Sequence, residues 1–222
     1  MTSFVLKIIA LIAMTFDHIG YIIFNKFTYM NYIGRLAFPI YAFSISEGYY
    51  HTKDLKKYFL RLFIFALISQ IPYMLFLNAI SSSNFTFNIL FTLILGLLAI
   101  TIYDKLNNKY LGLLFAILSC IIAHFFHFDY GWFGIAIIFI FHIFKNKKSL
   151  MNLFFFIATF INYFYRYIKT PKIEYIFIIL FCTLSLIPIN LYNGKKGKNI
   201  KYLLYIFYPL HLVLLYILNF FI

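Results

Sequence analysis

Apolar stretches long enough, or nearly long enough, to cross a bilayer recur from one end of this chain to the other, separated by short polar joints. A spanning helix needs about 20 mostly apolar residues. In hydrocarbon every backbone polar group must be paired within the protein, so uninterrupted apolar runs of this kind predict helices. The reading is an all-α, polytopic transmembrane helical bundle forming a single domain over residues 1–222, with no soluble domain. Composition agrees, with 64% hydrophobic and 11% charged residues against roughly a quarter charged in soluble domains.

Nine spans fit, near residues 4–24, 33–50, 58–78, 86–103, 110–126, 130–144, 150–168, 174–190 and 201–221, the sixth being short for a full crossing. Lys and Arg fix the orientation. With the N-terminus cytoplasmic, 14 of them fall at the inner side and four, Lys26, Arg166, Lys169 and Lys172, in outer joints, while Arg35 lies within the second span. That asymmetry is the positive-inside pattern of a multi-pass membrane protein with its N-terminus in and its C-terminus out. The formal charge of +13 therefore reads as topology, with no basic groove for nucleic acid. The first span is too long for a signal-peptide core and is expected to be retained. Cys120 and Cys182 both sit in apolar spans, so no disulfide framework or thiolate metal cluster is indicated. Ser81-Ser82-Ser83-Asn84 reads as an outer turn, and Gln70, Asn88 and Asn162 as polar bridges between helices.

Ionisable groups at membrane depth are costly and point to function. Span one carries Lys7 near its inner end and Asp17-His18 deep inside. The eleven-residue step from Lys7 to His18 is three helical turns plus about 20°, with a rise of about 16 Å, so both lie on one face. A cation at the membrane edge under a titratable base suits a long anionic substrate. Arg35 is placed within reach of Asp17, where an ion pair would keep both charged; fixing two helices is the plain structural alternative. Lys7 has its own plain reading as a topology signal. Glu47 needs a cation or a proton, and the cations it could face are Lys7 and Arg61. His211, beside Pro209, lies at a depth within a turn or so of His18. His124 and His127, near Asp129, read as a wet interfacial cluster rather than a metal site, and His51 and His142 as interfacial. A proton-coupled permease would also place Asp, His, Arg and Glu at depth, although the inverted repeat common in such proteins is not visible.

Several blocks together resemble the TraX family, named for the F-pilin N-terminal acetyltransferase of conjugation systems. They are Leu6-Lys7-Ile8-Ile9-Ala10 through Thr15-Phe16-Asp17-His18-Ile19-Gly20, Ile33-Gly34-Arg35-Leu36-Ala37-Phe38-Pro39-Ile40-Tyr41-Ala42-Phe43, Glu47-Gly48-Tyr49-Tyr50-His51-Thr52, Arg61-Leu62 through Gln70-Ile71-Pro72, Phe91-Thr92-Leu93 to Gly96-Leu97, and Tyr205 to His211. They cover nearly the whole chain. The family is in turn similar to transmembrane acyltransferases acting on cell-surface sugars and heparan glucosamine. Their signature of a basic residue, ten residues and a His is matched by Lys7 and His18, and their late Tyr-x-x-His by Tyr208 and His211. This chain is shorter, and much of their middle region is not recognisable in it.

The resemblance implies acetyl transfer from cytoplasmic acetyl-CoA to an amine or hydroxyl on an acceptor peptide or glycan at the outer side. With the ionisable groups read above, it makes His18, Asp17 and His211 the expected catalytic group and Lys7, Arg35, Glu47 and Arg61 the expected cofactor-binding group, with no metal. A non-catalytic assembly factor for surface filaments is the other reading it leaves open.

Overall fold

A computed structural model describes residues 1–24, 27–80 and 85–221. Lys26 and the Ser81-Ser82-Ser83-Asn84 turn lie outside the described residues.

The first apolar stretch forms one helix, α1 (Ser3–Phe24). The first N–H groups of a helix lack partners within it. Here the N–H groups of Ser3 and Phe4 donate to the carbonyls of Lys195 and Lys196, at 2.8 and 3.0 Å, so the basic 191–200 loop is strapped across the start of α1. The second stretch is broken where the sequence reading had one span. A short α2 (Tyr29–Gly34) ends at Arg35, and α3 (Ala37–His51) begins two residues later. The break seats Arg35 and Gly34 against α1, and a Cβ on Gly34 would overlap the Asp17 side chain.

α4 (Leu55–Ala79) is capped by Asp54, whose carboxylate accepts from the Lys57 N–H at 2.9 Å. α5 (Ile89–Lys105) and α6 (Lys109–Phe125) start at Asn88 and Asn108, both of which cap through their side chains. Asn88 also donates to the Ala66 carbonyl and to Gln70, making the polar bridge between α4 and α5 that the sequence suggests.

α7 (Gly131–Ile143) is apolar on every side and only 13 residues long. A helix hydrophobic all round belongs in the interior, and Phe133, Ile135, Ile137, Ile138 and Phe141 are indeed fully buried. It packs against α3, α5, α6 and α8 (Lys148–Lys169). Gly134 lets α5 approach, since a Cβ there would press on Thr92. The short sixth stretch is thus the centre of the bundle.

The eighth stretch is split into α9 (Glu174–Leu184) and α10 (Leu186–Asn190), with Pro188 unable to continue the hydrogen-bond ladder. α11 (Lys201–Leu218) carries Pro209 and packs on α4 and α1. Among the described residues the regular structure is helical, and α1, α4 and α11 are long and apolar enough to cross a membrane. Large apolar side chains cover the exterior, with Leu67, Ile71, Leu114, Ile121 and Ile161 all exposed.

Candidate functional site

Packing of α1 against α11 joins two histidines that are 193 residues apart: His18 Nδ1 lies 2.8 Å from His211 Nε2. The rings are within 9° of parallel with centroids 5.0 Å apart, the separation expected of two imidazoles meeting edge to edge. His211 Nδ1 faces the Phe207 carbonyl at 2.8 Å. A carbonyl oxygen only accepts, so His211 Nδ1 carries the proton. With both rings neutral, His211 Nε2 is then the acceptor and His18 Nδ1 the donor. His18 Nε2 is left with its lone pair free. The order Phe207 carbonyl, His211, His18 therefore fixes the tautomer of His18 as a base, in the manner of an orienting group behind a catalytic histidine. Phe76 of α4 tilts against the His18 ring, with centroids 4.8 Å apart.

Asp17 is committed elsewhere. Its Oδ1 accepts from Arg35 at 2.6 Å and from Asn31 at 3.2 Å, and Asn31 also donates to the Asp17 backbone carbonyl at 2.8 Å. Arg35 also donates to the Asn31 carbonyl and to the Tyr21 hydroxyl. Asn31 is fully buried and the two charged side chains are each 14% exposed. This clamp holds the α2–α3 break against α1 one residue from His18.

A cavity of about 470 Å³ connects His18 to the opposite end of the bundle, where Lys7, Arg61, Lys196 and Lys201 line it. Asp17 also borders it, whereas His211 stands behind His18 and does not. Arg61 sits over the Tyr58 ring at 5.9 Å, and its buried Nε has no hydrogen-bond partner among the described residues. Lys7, Lys196 and the strapped N-terminus of α1 converge there, giving a strongly positive mouth.

Glu47 lines the same cavity but does not pair with Lys7 or Arg61, the cations the sequence reading offers it. It lies 3.3 Å from His51, one turn along α3, and 3.3 Å from Lys145, which is brought to it because α3 packs on α7. Arg35 lines a second cavity rather than the first. His142 is buried within the bundle: its Nε2 meets Asp104 at 3.0 Å, and Tyr49 and Tyr50 flank its ring. His51, His124 and His127 are exposed.

The second cavity, of about 350 Å³, lies beyond the Asp17–Arg35 clamp and shares Asp129 and Tyr130 with the first. In the sequence Asp129 stands out only as a neighbour of His124 and His127. The chain has only six acidic residues, and one of them in a joint free of Lys and Arg was the signal available.

The family described as TraX protein matches residues 3–219. A protein of Dichelobacter nodosus described as "Probable fimbrial assembly protein FimC, serogroup H1" is 28% identical over 237 aligned residues, covering 96% of this chain and 94% of its own length. A protein of Rickettsia prowazekii (strain Madrid E), described as uncharacterized, is 30% identical over 159 residues, covering 70% of this chain and 60% of its own. No solved structure matches the chain.

Proposed function

The chain belongs to the TraX family, and on that premise we propose that it is a multi-pass protein of the bacterial cell membrane that transfers an acetyl group from cytoplasmic acetyl-CoA to an amine or hydroxyl acceptor at the outer side. Nine crossings with the N-terminus inside are supported by the alternation of Lys and Arg between joints and by the apolar exterior. The observation that carries the catalytic reading is one cavity bordered by His18 at one end and by Lys7, Arg61, Lys196 and Lys201 at the other.

In this reading the phosphates of acetyl-CoA bind at the positive mouth, and the pantetheine arm follows the cavity along α1. The thioester then lies beside His18 Nε2. That nitrogen takes the proton of the acceptor as the acceptor atom bonds to the acetyl carbon, and passes it to the departing thiolate as the C–S bond breaks. A two-step variant, with the acetyl group carried on His18, uses the same atoms. His211 holds the tautomer. The Asp17–Arg35 clamp is a positioning element for α1.

The name of the D. nodosus relative favours a second reading, in which the chain is a non-catalytic factor for assembling fimbriae. Thermal unfolding of the purified protein separates the two. Acetyl-CoA well above its dissociation constant stabilises an enzyme that binds it, by about 2.7 kcal/mol at a hundredfold excess. An unchanged midpoint at millimolar acetyl-CoA removes the acyltransferase and leaves the assembly factor.

A further inference from the structure

The second cavity lies outside the passage assigned above to acetyl-CoA, yet it is not isolated from the site. Asp129 and Tyr130 form wall to both cavities. They belong to a turn whose backbone is unusual: His127, Tyr130 and Gly131 all have positive φ, at 52°, 61° and 49°. A non-glycine residue in that region is strained and persists only where its surroundings hold it. Here they do. The Tyr130 ring stacks on Phe38 with centroids 3.8 Å apart, and Thr92 donates to the Asp129 carbonyl at 2.5 Å. The turn is thus built to keep one carboxylate at the junction of two cavities.

The second cavity is also lined by Arg166 in the last turn of α8, Lys172 in the joint that follows and Glu174 at the start of α9, and Arg166 and Lys172 are exposed. This joint is on the outer side in the nine-span reading. Tyr21, Phe27, Tyr163 and Tyr175 line the interior. Asp129 stands within electrostatic reach of Arg35, Asp17 and Arg166, and of the hydroxyls of Tyr21, Tyr73, Tyr130 and Tyr208.

We infer that the second cavity is the acceptor's entrance and admits a primary ammonium group on an aromatic or apolar stem, with Asp129 as the catalytic carboxylate that takes the ammonium's first proton. This rests on the acyl-transfer reading above. A hydroxyl acceptor needs one base, which His18 supplies. An ammonium must lose two protons, and the junction provides the second base. Asp129 takes one proton and releases it to the outer water. The free amine then attacks the thioester carbonyl, so that the N–C bond forms and the C–S bond breaks. The second proton passes through His18 to the thiolate, giving the thiol of coenzyme A. Burial pushes the Asp129 carboxyl up to about 6, against the opposing pull of Arg35, which suits an acid that must gain and lose a proton near neutral pH.

The test uses right-side-out vesicles carrying the full chain, loaded with radiolabelled acetyl-CoA, with phenylalaninamide as the external amine probe. Its amine resembles an α-amino group, mostly protonated at about pH 7 and free at about pH 9.5. Asp129→Asn is expected to lower transfer about fivefold at the lower pH, the limit set by the share of the probe already free there, and to recover towards the parent protein at the higher one, with stabilisation by acetyl-CoA unchanged. In a Cys120→Ser, Cys182→Ser background, Glu174→Cys labelled from outside with a bulky impermeant maleimide is expected to lose transfer and keep that stabilisation. Parent-like transfer by Asp129→Asn at about pH 7, an equal deficit at both pH values, or continued transfer by the labelled protein overturns the assignment. If the parent protein neither binds acetyl-CoA nor transfers acetyl, the acyl-transfer reading falls first and takes this one with it.

Discussion

His18 and His211 form one hydrogen-bonded unit across the α1–α11 contact, with Nδ1 and Nε2 2.8 Å apart. Because the Phe207 carbonyl fixes the proton on His211 Nδ1, the pair has a direction: His211 accepts and His18 donates. Replacing His211 with Gln preserves an acceptor for the His18 Nδ1–H, while Leu removes it. Steady-state transfer assays should find His211→Leu reduced about 10²-fold or more and His211→Gln retaining the larger share. Equal activities for the two variants would contradict the orienting role.

The Asp17–Arg35 pair is nearly buried, with each side chain 14% exposed. Removing one partner leaves a charge in low dielectric, at a cost of about 3–5 kcal/mol. Thermal unfolding in detergent should show Arg35→Ala and Asp17→Ala strongly destabilised, with the Asp17→Ala, Arg35→Ala double variant recovering much of the loss. Additive losses would show that the two groups act separately.

The positive mouth predicts salt-sensitive binding. Lys7→Glu or Arg61→Glu should weaken acetyl-CoA binding about tenfold or more, corresponding to about 1.4 kcal/mol. Titration calorimetry at two ionic strengths checks this, and Lys169→Glu, on the far side of the bundle in the nine-span reading, serves as the control expected to bind normally.

Asp129 gives a pH signature in stability that is independent of turnover. Its carboxyl rises from an ordinary 3.8 to about 6 in the folded protein, first through burial. The folded state therefore holds this proton more tightly than the unfolded state does. Stability from this group is greatest below about pH 4, falls as pH rises towards about 6, and is level above that. Comparing melting curves of Asp129→Asn and the parent across this window should show that part of the slope vanish.

The helical character of the chain and the shared face of Lys7 and His18 were legible because they depend on local periodicity alone. Arg35 beside Asp17 was legible too, since a short hairpin limits how far apart they can be. The contact between His18 and His211 was only approached: depth along a helix is local, but which helices touch is tertiary. Glu47 pairs with Lys145 for the same reason, because nothing in the sequence announces that α3 lies against α7. The break at Arg35 and Leu36 escaped a reading based on apolar length, which does not register a change of direction inside an apolar stretch. Asp129 escaped because its importance comes from the two cavities on either side of it.

The most direct measurement follows radiolabelled acetyl from coenzyme A inside sealed vesicles to an external amine, comparing the parent chain with His18→Ala at equal membrane insertion. The account predicts transfer by the parent and a fall of about 10²–10⁴-fold in the variant, with acetyl-CoA still bound by both. Transfer by His18→Ala at the parental rate would contradict it.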